Sequence, residues 1–390
     1  MVQAQTQNAP TGKSLTDERL VSLDAFRGIA ILSMILVNNP GSWDSVYAPL
    51  LHATWHGWTP TDLVFPFFLF IVGVAIAFAF TKQLAMGMDK KDLVQKLAQR
   101  SLIIFGLGLV MAGYPYFSLD GGIGLHENLT NIRIPGVLQR IAVCYFFASL
   151  LFLHTSHRTQ IYTVIGLLFG YWFIMTIIPV PGFGAGLIDD PEANLAAYMD
   201  RLILGTHIYR VGLYDPEGIL STLPAIATTL FGVFTGRILV SDKEKALKTT
   251  QIFVMGALLI IAGYIWDGVF PINKPLWTSS YAIFTAGQAM CGLALCYWFI
   301  DVQKKKKWSQ PFVKYGVNAI TVYFLSGILS NTLSLIQFGD ASLQSIIYQN
   351  IFVPLSSIPE VSSLLYAVTW VMGWYIVLHI MYKNKIIIKV

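Results

Sequence analysis

Long apolar runs recur from one end of this 390-residue chain to the other, and they restrict its fold to those that live in a membrane. Ten stretches of roughly 17–25 residues have the length of a membrane span. They lie near 22–39, 60–81, 100–117, 134–153, 160–178, 218–239, 250–270, 278–300, 312–335 and 361–382. Composition agrees: 55% of residues are hydrophobic, 12% are charged and the mean hydropathy is +0.60. A soluble domain carries about 25% charged residues. The expected fold class is therefore all-α, a polytopic bundle of ten spans over residues 19–390 behind a polar tail, 1–18. That tail lacks the apolar core of a cleavable signal peptide. Cys144, Cys291 and Cys296 all sit inside apolar runs and read as packing thiols, not as a disulfide or metal cluster.

Lysine and arginine fix the expected orientation. One set of connections carries clusters at 82–100, 237–248, 304–307 and 383–389, whereas the alternate set holds only Arg133, Arg201, Arg210 and Lys274. Both termini are expected on the cytoplasmic side. The loop 39–59 and the long polar excursion 179–216 are expected outside. The net charge of +5 thus serves topology and lipid headgroups, and nucleic acid is not an expected partner.

The polar residues at the span ends carry the chemistry. The stretch LHATWHGWTPTDLVFPFFLF, 51–70, places His52, Trp55, His56, Trp58 and Asp62 at the mouth of the second span. Thr59, Pro60 and Asp62 form a helix-start signal, so Asp62 reads as a cap or as the group that orients an imidazole. His52 and His56 have H-x-x-x-H spacing, but Ala53 stands where a zincin carries glutamate and no third ligand is evident, so no metal is expected. The tryptophans also suit an interfacial belt. A histidine beside a carboxylate suits proton transfer near neutral pH, and Asn38 and Asn39 can supply amide donors to a developing oxyanion. Arg27 pairs in sequence with Asp24, and with Arg19 it suits phosphates entering from the cytoplasm. Gln139 and Arg140 fall inside the fourth span, where an arginine is costly and faces either an acidic partner or a polar ligand passage. Asp215 and Glu217 read as a helix start or as carboxylates for a cationic amine. Asp267 reads as a partner of Lys274 or as another substrate contact.

The pieces SLDAFRG, ILVNNPG, HATWHGWTPTDLVFP, RIPGVLQR, YDPEGIL, PINKPLWTSSY and YGVNAITVYF follow one another along nearly the whole chain. Together they resemble the heparan-α-glucosaminide N-acetyltransferase family of transmembrane acyltransferases. The chain looks like a compact bacterial relative without the large lumenal domain of the animal enzyme. The resemblance implies transfer of acetyl from cytoplasmic acetyl-CoA to the amine of a glucosamine, or of a glucosamine-terminated glycan, on the far side of a bacterial inner membrane. It makes His52 the catalytic residue and Asn38 its neighbour. His56 stands where the animal enzyme carries asparagine. The expected site is thus His52, Asn38 and Asp62 for catalysis; Arg19, Arg27, Gln139 and Arg140 for acetyl-CoA; and Trp55, His56, Asp215, Glu217 and Asp267 for the sugar. His52 acts either as general base in direct transfer, the favoured route, or as a transient acetyl carrier. An amino-sugar permease or an acyltransferase for another cell-envelope acceptor fits the same residues. Outward aromatic faces are compatible with a homodimer.

Overall fold

The structure is a computed structural model that describes residues 20–118, 124–209 and 212–388. Arg19, the tail 1–18, Arg210 and Lys389 lie outside the described residues. Fourteen α-helices carry nearly all the regular structure among the described residues. They are α1 (Val21–Asn38), α2 (Val64–Ala85), α3 (Lys90–Gly113), α4 (Glu127–Thr130), α5 (Val137–His154), α6 (His157–Ile177) and α7 (Leu195–Leu204). The second half adds α8 (Thr222–Val240), α9 (Lys245–Asp267), α10 (Ser279–Tyr297), α11 (Gln310–Val317), α12 (Ala319–Leu335), α13 (Leu343–Ile347) and α14 (Pro359–Lys383). Among the described residues, strands are confined to two small antiparallel pairs, β1 (Phe117–Ser118) with β2 (Gly124–Leu125) and β3 (Gln337–Phe338) with β4 (Ala341–Ser342).

Among the described residues, nine helices are long and apolar enough to cross a membrane. A bent pair, 307–317 with 319–335, makes a tenth span with a 68° break. The ninth expected span is therefore not straight: it breaks at Asn318, whose amide bonds Ile386 O at 3.1 Å and accepts from Ile388 N at 2.9 Å. The third span also starts earlier than its apolar run suggests. Asp89 caps Lys91 N at 3.2 Å, and the charged segment from Lys90 winds into the same helix. Lysine, glutamine and leucine are good helix formers, so polarity there marked the membrane edge and not the helix edge.

Small residues bring the central helices together. A Cβ on Gly73 of α2 would fall 1.9 Å from Thr229 O on α8, and one on Gly232 would fall 2.0 Å from Phe70 O. Close approach of this kind drives helix association where lipid removes the hydrophobic drive. The outer helices α6, α9 and α14 instead present large exposed side chains, among them Phe173, Ile265 and Ile376. The loops around His52, Arg133, Asp215 and Lys274 gather at one end of the bundle. There Gly57 N reaches Ile272 O at 2.7 Å and Ile134 N reaches His207 O at 3.0 Å. The opposite end joins Ser22 N to Asp301 Oδ2 at 3.2 Å.

Candidate active site

The site grows from the turn before α2. Thr59 is extended, Pro60 opens a 3₁₀ turn (Pro60–Leu63), and Asp62 folds back under it. Asp62 Oδ2 accepts from Thr59 N at 2.9 Å and Ala53 N at 3.0 Å, while Oδ1 lies 2.6 Å from His52 Nδ1. One carboxylate thus caps the turn with one oxygen and orients the imidazole with the other. The Asp62 carbonyl accepts from the Tyr281 hydroxyl at 2.6 Å, which fixes the turn to α10. This pattern assigns the imidazole proton to Nδ1 and leaves Nε2 as the acceptor nitrogen of the ring.

Lys274 is the neighbour that the sequence reading did not place in the site. Its Nζ lies 3.1 Å from both ring nitrogens of His52 and 3.9 Å from Asp62 Oδ1. Burial pushes its ammonium below the usual lysine range, and the charges of Glu217 and Asp62 hold part of that shift back. The expected Asp267–Lys274 pair is corrected here: Asp267 accepts from Ile272 N at 2.6 Å, closing the turn beyond α9. The available signal was that Lys274 is the sole lysine on the loops expected outside, within PINKPLWTSSY.

A second cluster faces the first. Arg133 donates to Asp215 Oδ2 at 2.8 Å from Nε and to Oδ1 at 2.6 Å from Nη2, and it also reaches Glu217. Burial opposes the guanidinium charge, and Glu217 and Asp215 more than offset it, raising its pKa above the usual value. Asp215 accepts further from Tyr209 N and Glu217 N, both at 2.8 Å, so its oxygens are engaged inside the fold. Arg140 is buried. It donates to Pro216 O at 3.1 Å, to Gly218 O at 2.9 Å and to the Ser221 hydroxyl, and it lies over the Trp277 ring. Its guanidinium therefore locks the segment 216–221 and is held away from a ligand passage by those carbonyls. Gln139 is buried against Gly108 and Gly136.

Trp55 donates to Ile188 O at 2.9 Å and meets Tyr214 edge-on, which ties the excursion to the His52 loop. His56 turns the other way, with Nε2 2.8 Å from Asp189 Oδ1 and Nδ1 3.3 Å from Asn273 Nδ2. The two histidines therefore do not converge on one ligand. Asn39 bends back to Ile35 O at 2.7 Å, whereas Asn38 is exposed at the end of α1.

Three cavities follow the same helices. One of about 200 Å³ is lined by Asn38, His52, Arg133, Tyr209, Glu217 and Lys274. A cleft of about 480 Å³ shares Asn38, Arg133 and Tyr209 with it and continues past Asn128, Gln139 and Ser326. A third, of about 420 Å³, lies toward the opposite end between Arg27 and Arg100. Its lining residues Phe68 and Ile141 stand one turn along α2 and α5 from Val64 and Val137 of the first cavity. Arg27 also reaches Asp24 at 3.2 Å. Arg100 was not expected in a site; it lies over the Tyr145 ring, 5.2 Å from its centre.

A family model described as "Heparan-alpha-glucosaminide N-acetyltransferase, catalytic" matches residues 19–265. The chain is 32% identical over 374 residues to the mouse (Mus musculus) heparan-alpha-glucosaminide N-acetyltransferase, covering 83% of this chain and 55% of the relative. It is 33% identical over 364 residues to the human (Homo sapiens) protein of the same name, covering 80% of this chain and 53% of the relative. The chain thus spans about half the length of the curated relatives it matches. The family match takes in His52, Asp62, Arg133 and Glu217, and the matched pairs extend over most of the chain, so this protein belongs to the heparan-alpha-glucosaminide N-acetyltransferase family.

Proposed function

We propose that this chain is a multi-pass membrane N-acetyltransferase that moves the acetyl group of acetyl-CoA to the amine of a glucosamine-type sugar. The observation that carries the reading is the His52–Asp62 pair at 2.6 Å, opening on a cavity lined also by Asn38, Glu217 and Lys274. Acetyl-CoA enters at the end that holds Arg27 and Arg100, whose charges suit its phosphates. That end also carries the lysine-rich loops, which by the positive-inside rule supports a cytoplasmic position for it and a periplasmic one for the His52 end in a bacterial inner membrane. The pantetheine arm follows the apolar walls of α2 and α5 toward His52. The cleft beside Asn38, rich in amides and hydroxyls, suits a sugar or the end of a glycan.

In the reaction, the sugar amine attacks the thioester carbon, so a C–N bond forms and the C–S bond breaks. The amine proton passes to His52 Nε2, the bonding pair leaves with sulfur, and the thiolate takes that proton to give CoA thiol and the N-acetyl sugar. Asn38 donates to the oxyanion. Adjoining cavities allow both substrates to be present together, which favours direct transfer over an acetyl-histidine. Asp215 and Arg140 hold the walls and do not touch the sugar, and Glu217 is the carboxylate that reaches the cavity.

The test is incubation of the purified protein with labelled acetyl-CoA and glucosamine. Labelled N-acetylglucosamine with stoichiometric CoA thiol supports the reading. Movement of labelled sugar across proteoliposomes without consumption of acetyl-CoA would replace it with a permease.

A further inference from the structure

We propose that Lys274 is a positioning residue that sets the charge state of His52, holding the imidazole neutral and ready to accept a proton. The inference rests on the reading of His52 as general base. Two charges of opposite sign touch one ring. Asp62 at 2.6 Å favours the imidazolium, and the Lys274 ammonium at 3.1 Å from each nitrogen opposes it. The other charged groups lining the cavity are Arg133 and Glu217, which are bonded to each other; Glu217 also supports the Lys274 ammonium, and Asp62 and Lys274 are the two charges that touch the ring. His56 is drawn off toward Asp189.

Burial makes the two neighbours effective. The His52 side chain is 48% exposed, but those of Asp62 and Lys274 are 1% and 17% exposed, so water screens their charges less than surface charges. The turn that carries Lys274 is also rigidly built. Asn273 is fully buried and accepts from Leu276 N at 2.8 Å, Thr278 Oγ1 accepts from Asn273 N at 3.0 Å, and Trp277 N reaches Lys274 O at 3.0 Å. A lysine on a loose loop would leave the ring for solvent, whereas this backbone returns it to His52. Without Lys274, the Asp62 carboxylate alone would act on the ring and would favour its protonated form.

The experiment measures kcat/KM for acetyl transfer to glucosamine from about pH 5 to pH 9. It compares the wild type with Lys274→Met and Lys274→Arg, each first shown to be folded by its thermal melt. In parallel, the His52 resonance of histidine-labelled protein, assigned with His52→Gln, is titrated in the same micelles. Lys274→Met should move the acid-side midpoint upward by about one pH unit or more in both readouts, while Lys274→Arg restores it. A structural role alone would lower rate or melting temperature without moving the midpoint, and an unmoved midpoint overturns the proposal. Lys274→Gln serves as the second neutral variant where methionine disturbs the turn. If the wild type transfers no acetyl group, the functional reading fails, and the His52 titration by itself still decides the role of Lys274.

Discussion

At the scale of single residues, the site separates groups that face the cavity from groups that hold its walls. His52→Ala should lower transfer by about 10³-fold or more in a protein that still folds, because the imidazole is half exposed. Retention of near wild-type turnover in that variant would remove His52 from the mechanism. Asp62→Asn should cost roughly 10²- to 10⁴-fold in kcat, since an amide can still cap Thr59 N but stabilises the wrong tautomer of His52. Asp200 shows a different kind of coupling. It is buried on α7, its Oδ1 accepts from Ile219 N at 2.8 Å, and desolvation with the nearby Asp215 charge pushes its pKa from 3.8 up to about 7. The folded state then binds a proton that the unfolded state releases, so this group removes stability as pH rises from about 4 to 7 and adds nothing further above that range. The Asp200→Asn variant keeps the oxygen acceptor and should gain stability over wild type at pH 8 relative to pH 5. Melting of both proteins at the two pH values checks this.

At the scale of elements, the α2–α8 seam and the Asp215 segment matter most. Gly73→Ala should destabilise the bundle by about 1–3 kcal/mol, because its Cβ would meet the Thr229 carbonyl and force two packed helices apart. Gly106→Ala on α3 is the control. Nothing lies within 4 Å of that Cβ, and alanine favours the helix by roughly 0.5–1 kcal/mol, so its melt should not fall. The segment 215–221 is held by Arg133 from outside and by Arg140 from within. Sequence left Arg140 between an acidic partner and a ligand passage, because an arginine inside a span demands a polar partner. The partners are two backbone carbonyls and the Ser221 hydroxyl just before α8, and the carbonyls are a source that no side-chain pattern announces.

At the scale of the whole molecule, the proposed reaction runs between the two ends of the bundle. Arg100→Ala should raise the KM for acetyl-CoA by about tenfold and leave kcat nearly unchanged, as loss of the proposed phosphate contact would remove ground-state and transition-state binding alike. In proteoliposomes of one orientation, acetyl-CoA should be used only from the Arg100 side, and N-acetyl sugar should form from amine supplied on the His52 side. Steady-state assays with each substrate restricted to one compartment measure both.

The sequence by itself determined the class of fold, the approximate spans and the residues around His52, because apolar length and helix-start chemistry are local properties that need no partner. It also separated the loops by charge, since the lysine and arginine content of a loop is read without folding. Tertiary structure alone decided what each polar residue faces. Lys274 lies 222 positions from His52 and arrives there because Asn273 and Thr278 fix its turn. Arg133 and Asp215 are 82 positions apart and meet where α5 and α8 begin at the same end. At the break, Asn318 likewise finds its partners in distant segments, at Ile386 and Ile388. Each is a contact between distant segments, and the packing of small residues at the helix seams sets which segments meet.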